Sequence, residues 1–99
     1  MAFKIFTPLK AFVLDTFNKD PESWMSSNMV LEAIPWPMTA RTVRHFLLEF
    51  FQAGLLERLE SFPAYLYRLR PGYEQHSLYV RISTIATALA LPWSGRRLG

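Results

Sequence analysis

Residues that donate hydrogen bonds or carry positive charge are concentrated between positions 39 and 45. Thr39, Arg41, Arg44 and His45 occur in this short segment, with the small Ala40 beside them. Arginine can donate two parallel hydrogen bonds to a planar acceptor, and an exposed helix amino terminus attracts anions. If a helix begins here, its first turns are suited to an anionic ligand that also carries hydrogen-bond acceptors. The alternative is that these residues form an ordinary solvated helix face.

Residues suited to catalysis or metal binding are few and scattered. The chain has no cysteine, and its two histidines, His45 and His76, lie in separate segments with no acidic cluster near either. A transition-metal site needs several such ligands close together. The sequence also lacks a glycine-rich phosphate-binding loop and a nucleophile elbow. We therefore expect no metal site, no cofactor, no catalytic residues and no enzymatic activity.

Composition favours one small domain over the whole chain, residues 1–99. The chain has 99 residues, of which 51% are hydrophobic, so one core can be buried without a disulfide. A formal net charge of +3 suits a polyanionic partner. The first residues do not resemble a signal peptide, and the most apolar segment, Leu78 to Leu91, is too short to span a membrane. Because cysteine is absent, we expect a reducing compartment, the cytoplasm.

Three helices are predicted in the first half of the chain. Thr7 followed by Pro8 is typical of a helix start and predicts the first helix over about 8–18. A cap at Ser26 or Ser27 predicts the second over about 27–34. The third, about 40–53, has the clearest apolar periodicity in the chain, with Thr39 as its cap and Gly54 as its left-handed terminator.

A hairpin and a fourth helix are predicted next. Two aromatic and aliphatic runs, about 55–60 and 65–70, are separated by a short turn and predict an antiparallel hairpin. Apolar periodicity then predicts a helix over about 76–91, and residues 93–99 are expected to be a flexible basic tail in which Arg96 and Arg97 add little. The predicted fold is mainly α with a small antiparallel β-hairpin.

Three segments in this order resemble the winged helix-turn-helix superfamily of bacterial transcriptional regulators, of the MarR, ArsR and PadR kind. Met38 to Leu47 resembles a recognition helix, Phe51 to Arg58 the passage into a wing, and Tyr65 to Gly72 the return strand. The resemblance covers about residues 8–72. It implies three helices, a wing and a C-terminal helix in a regulator that binds double-stranded DNA.

The resemblance also implies which residues contact DNA. The recognition helix reads base edges in the major groove, and the candidate residues there are Thr39, Ala40, Arg41, Arg44 and His45. The wing follows the DNA backbone, and its candidate residues are Arg58, Arg68 and Arg70. The alternative for the wing arginines is pairing with glutamates across the strands.

The fourth helix needs a surface for its apolar stripe, which consists of Leu78, Ile82, Ile85 and Leu89. In the families that the chain resembles, a helix after the wing commonly pairs with its twin, so we expect a homodimer that binds a two-fold related DNA site. The alternative is that this helix packs on the first helix of its own chain. A second alternative concerns function, because winged helices also serve as protein-protein interaction modules without DNA binding.

Overall fold

The computed structural model describes residues 2–61 and 63–95, with side chains from residue 8 onward. These residues form an α+β domain of four α-helices and a two-stranded antiparallel hairpin. In chain order the elements are α1 (Ala2–Asn18), α2 (Ser27–Ala33), α3 (Ala40–Gln52), β1 (Leu56–Glu60), β2 (Tyr65–Leu69), a 3-10 turn (Tyr73–Gln75) and α4 (Ser77–Ala88). The order of helices and hairpin agrees with the sequence prediction. No helix of the described residues is long and apolar enough to cross a membrane.

The predicted side-chain caps lie at the starts of α2 and α3. Ser26 caps α2, its hydroxyl accepting a hydrogen bond from the Met29 amide at 3.2 Å, and Thr39 caps α3 through the Thr42 amide at 3.1 Å. Each cap satisfies one of the amides that a helix start leaves free. Gly54 then ends the α3 region with a φ of 82°, a conformation that glycine adopts without steric cost.

An isolated backbone bridge joins the hairpin to the segment between α1 and α2. Within the hairpin, Glu57 lies opposite Arg68 and Arg58 lies opposite Tyr67. Met25, between α1 and α2, pairs with the outer edge of β2 through two backbone hydrogen bonds to Tyr67, each 2.8 Å long. The hairpin is therefore held against the helical part of the fold along the β2 edge.

One apolar core joins all four helices to the base of the hairpin. Phe17 of α1, Phe46 and Phe50 of α3 and Tyr79 of α4 are almost completely buried in it. The buried residues of α3 are spaced three and four apart, so the opposite side of that helix must face solvent.

The first helix begins earlier than predicted. We expected it to start at Pro8, after a Thr7 cap, but α1 begins at Ala2 and runs through Pro8. The φ of proline is itself close to helical, so an internal proline costs one amide-carbonyl hydrogen bond and some crowding of the preceding turn. In this chain that cost does not end the helix.

The fourth helix packs on α1 of its own chain, which was the alternative to dimerisation. Ile82 is 2% exposed and belongs to the core, so its assignment to a dimer interface is wrong. Leu78 and Ile85 are half-buried, and Leu89 remains 55% exposed. Apolar periodicity identified the face to be covered, but it could not say which surface covers it.

The end of α4 also differs from the prediction. The helix ends at Ala88, not near position 91, because Ala90 takes a left-handed conformation with a φ of 54°. The amides of Ala90 and Leu91 then donate to the carbonyls of Thr87 and Ala86, at 3.2 and 2.8 Å. This is the Schellman arrangement that commonly closes a helix, here with alanine where glycine is usual.

The segment after α4 is not a loose tail as far as Gly95. Trp93 is 9% exposed and its ring lies 5.6 Å from that of Tyr79. The backbone amide of Ser94 donates to Oδ1 of Asp15 at 2.5 Å, and its hydroxyl donates to Oδ2 at 3.2 Å. The predicted flexibility is therefore wrong for 93–95, and Arg96 and Arg97 lie outside the described residues.

Candidate nucleic-acid interface

The amino-terminal half of α3 presents the predicted base-contacting side chains to solvent. Arg41, Arg44 and His45 are exposed, as is the capping Thr39, whereas Ala40 is half-buried. The buried stripe on the other side of the helix holds this face outward. The five predicted residues therefore lie together at one accessible helix start.

The charges around the two arginines of this face determine whether their guanidinium groups can bind a ligand. Among the residues that the structure describes, no carboxylate lies within ion-pairing distance of Arg41 or Arg44. Glu49, the nearest acidic residue on α3, accepts a hydrogen bond from Nζ of Lys10 at 2.6 Å and lies 3.9 Å from Nε2 of His45. Both guanidinium groups remain available to a ligand.

A groove separates α3 from the hairpin. Its volume is about 690 Å³, and Arg44 from the helix and Arg58 from β1 both line it, together with one acidic residue, Glu60. The rest of the lining is largely apolar and comprises Leu47, Leu48, Pro63, Ala64, Tyr65 and Tyr67, with Ser27 and Ser61. The lining of the groove therefore combines two arginines and one glutamate with a largely apolar surface.

Arg58 is held rigidly at the side of this groove. Its guanidinium carbon lies 4.2 Å from the ring centre of Phe51 and 4.3 Å from that of Tyr65. Its Nε is buried and has no hydrogen-bond partner among the described residues. Stacking of arginine on aromatic faces is favourable and reduces the freedom that the side chain would lose when a ligand binds.

Arg68, the second predicted wing residue, is engaged within the fold. Its Nε donates to Oε2 of Glu57 at 2.6 Å, and its guanidinium carbon lies 4.3 Å from the ring centre of Trp24. Glu57 is its direct cross-strand neighbour. This is the glutamate pairing that the alternative interpretation expected, so we leave Arg68 out of the candidate interface.

Arg70, the third predicted wing residue, lies at the base of the hairpin. It lines a small cavity of about 220 Å³ with Gly54 and His76, beside the carboxyl end of α3. At 1.5 Å per residue, that end of the helix is about 20 Å from Arg41. Arg70 is therefore exposed but is separated from the other candidate residues.

The second histidine has a structural role. Nδ1 of His76 accepts a hydrogen bond from the Leu78 amide at 3.1 Å and so caps α4, while Nε2 lies 2.8 Å from the carbonyl oxygen of Ala53. His76 thereby links the end of α3 to the start of α4. No group of three His, Cys, Asp or Glu side chains within the described part of the chain is placed to hold a metal ion.

Sequence reasoning missed the groove and the position of Arg58 in it. The signal was available in part, because strand alternation places Arg58 on the same side of the hairpin as the two tyrosines at 65 and 67. Contact with Phe51 could not be inferred in this way, since it depends on how the hairpin packs against α3.

No family model, curated protein or solved structure matches this chain. The features that bear on its function are the exposed start of α3, the groove and the hairpin, together with the local sequence resemblance.

Proposed function

We propose that this chain is a non-catalytic, cytoplasmic regulator that binds double-stranded DNA as a winged helix-turn-helix, with α3 in the major groove and the hairpin beside the backbone. One observation carries the proposal. Arg41 and Arg44 project from the exposed start of α3, and neither has an ion-pair partner among the described residues.

The dimensions and chemistry of this helix support DNA as the ligand. An α-helix with its side chains is about 10–12 Å wide, and the major groove of B-form DNA is about 12 Å wide. Arginine can donate two hydrogen bonds to the O6 and N7 acceptors of guanine. The helix start itself, capped by Thr39, favours a nearby phosphate.

The hairpin supports the same proposal through Arg58. Two of the residues lining the groove are arginines, Arg44 and Arg58, and they belong to the two elements on its opposite sides. A phosphate entering the groove would gain interactions with both. Glu60 reduces this attraction, so we expect the hairpin to contribute less to affinity than α3.

A homodimer that binds a two-fold related site is part of the proposal, with the two copies of α3 about 34 Å apart in successive major grooves. Because Ile82 is in the core, a dimer contact through α4 would use the exposed Leu89 with the half-buried Leu78 and Ile85.

The test is to select bound duplexes from a random-sequence DNA library and then to titrate a selected duplex over a series of salt concentrations. We expect specific binding that weakens steeply with salt, because bound phosphates release counterions. Arg41→Ala and Arg44→Ala should each weaken specific binding by about 1 to 3 kcal/mol and leave the melting temperature nearly unchanged.

Lys19→Ala is the matched control, since Lys19 is an exposed cation in the turn after α1, outside both the candidate DNA interface and the α4 surface proposed for the dimer. It should leave specific affinity close to that of the unmodified chain. Specific binding that does not weaken as salt rises, or equal losses from Lys19→Ala and Arg41→Ala, would contradict the proposal.

A second candidate function is a protein-protein interaction module. The observation in its favour is the largely apolar lining of the groove, where Leu48 is 40% exposed and Tyr65 is 49% exposed. Binding of a partner protein through this lining should respond only weakly to salt. Failure to bind any duplex in the same selection would favour this candidate.

A further inference from the structure

Leu48 is an apolar residue at the centre of the exposed and largely polar face of α3. It follows Arg41 by seven residues and Arg44 by four, so with 3.6 residues per turn it lies within about 20° of Arg41 around the axis of α3. Its side chain is 40% exposed. Within about 60° of it around the axis, Arg41, Arg44, His45 and Gln52 are polar and exposed, while Phe51 is half-buried and packs against Arg58.

The core does not require a leucine at this position. Leu47, the adjacent residue, is completely buried, as are Val43 and Phe50 on the same inward side of α3. Leu48 instead lines the groove between α3 and the hairpin, where Arg44 and Arg58 provide positive charge. A ligand that brings negative charge to the two arginines therefore also meets the leucine side chain.

We infer that Leu48 is a specificity-determining residue that contacts the C5 methyl group of a thymine. The inference rests on the proposed function, DNA binding through α3. In the major groove the polar base edges carry donors or acceptors that a leucine would leave unpaired, and the thymine methyl is the apolar group available. An exposed leucine beside two arginines that bind phosphate or guanine therefore favours thymine at the base that it contacts.

The spacing of Leu48 and Arg44 indicates where this thymine lies. One helical turn separates the two residues, a rise of about 6 Å. Successive base pairs are about 3.4 Å apart along the duplex axis. The thymine is expected within about two base pairs of the base or phosphate that Arg44 contacts.

The experiment starts by selecting binding sites from a random duplex library with the full chain. Each thymine of the selected site is then replaced in turn by deoxyuridine, which removes only the C5 methyl group. At one thymine the replacement should weaken binding about fourfold, the worth of one buried methyl group. Leu48→Ala should weaken binding by a similar factor and should no longer respond to deoxyuridine at that position.

Leu59→Ala is the matched control. Leu59 is 46% exposed on β1 and does not line the groove. This variant should keep both the affinity and the full response to deoxyuridine. Melting curves of both variants should overlay that of the unmodified chain, because both side chains are exposed.

Two results would overturn the inference while leaving DNA binding intact. One is a selected site in which no thymine methyl affects affinity. The other is a Leu48→Ala variant that remains as sensitive to deoxyuridine as the unmodified chain. If the library yields no bound duplex at all, the proposed function fails, and this inference fails with it.

Discussion

Two faces of the molecule differ in whether their polar side chains have partners. The first is formed by α3 and the hairpin, and the second lies where α1 packs against α4. On the first face, Arg41 and Arg44 are exposed and have no ion-pair partner among the described residues. On the second, Asp15 accepts hydrogen bonds from Asn18 and from both the amide and the hydroxyl of Ser94. The hydroxyl of Tyr79 donates to Oδ1 of Asn18 at 2.7 Å, which completes a network that is buried at Asp15, Asn18 and Tyr79 and reaches solvent at Ser94.

This difference separates groups that stabilise the fold from groups that are free to bind. Burial, together with the nearby Tyr73, Glu74 and Asp15, raises the pKa of Tyr79 well above its ordinary value, so its hydroxyl stays protonated as a donor. A buried polar group that loses its partner destabilises the folded state, whereas an exposed and unpaired one can be removed at little cost. Substitutions on the two faces should therefore affect different measurements.

The largest expected effect comes from breaking the buried network. Asp15→Ala leaves three donors without their acceptor, the buried Asn18 amide and two groups of Ser94 that solvent can reach, and should reduce the free energy of unfolding by about 2 kcal/mol. Denaturant titration measures the loss. Asp20→Ala, at an exposed acidic position, is the control and should change stability by less than about 0.5 kcal/mol. Equal effects from the two substitutions would show that the network is not a stabilising feature.

A smaller effect is expected for the arginine that sits on the hairpin but is used by the fold. Arg68→Ala removes the ion pair with Glu57 and the contact with Trp24, and should cost about 1 to 2 kcal/mol of stability. Specific DNA affinity of the folded protein should stay nearly constant, the reverse of the pattern expected for Arg41→Ala. Arg70→Ala, on an exposed arginine of the same strand end, should change neither stability nor affinity appreciably. A large loss of affinity in Arg68→Ala would return this residue to the candidate interface.

The smallest expected effect is a gain in stability, and it concerns the end of α4. Ala90 has a φ of 54°, a region that costs alanine more than glycine. Ala90→Gly should therefore stabilise the protein by about 0.5 to 1 kcal/mol, seen as a higher melting temperature. Ala88→Gly, two residues earlier and within the helix, should lower it. If both glycines lower the melting temperature, the left-handed turn at Ala90 does not close the helix in solution.

Local sequence patterns predicted most of the helices and strands and the position of the exposed cationic start of α3. The caps Ser26 and Thr39, the terminator Gly54 and the hairpin turn all depend on residues within a few positions of each other. The exposure of Arg41, Arg44 and His45 follows in the same way, because a strong 3.6-residue periodicity on one side of α3 leaves the other side to solvent. The predicted start of α1 was wrong, because Pro8 is typical of a helix start but here lies inside a helix that begins at Ala2.

The composition and spacing of the residues by themselves determined a small helical domain with one hairpin and an exposed cationic helix start. The tertiary structure decided that α1 covers α4 and that Arg58, rather than Arg68 or Arg70, lines the groove. It also decided how the chain after α4 is held against the fold. Asp15 and Ser94 are separated by 79 positions, and Arg58 lies between Phe51 and Tyr65 only because the hairpin packs against α3. The periodicity of a helix or strand specifies which side is apolar, but the partner of that side is set by packing between segments that are distant in sequence.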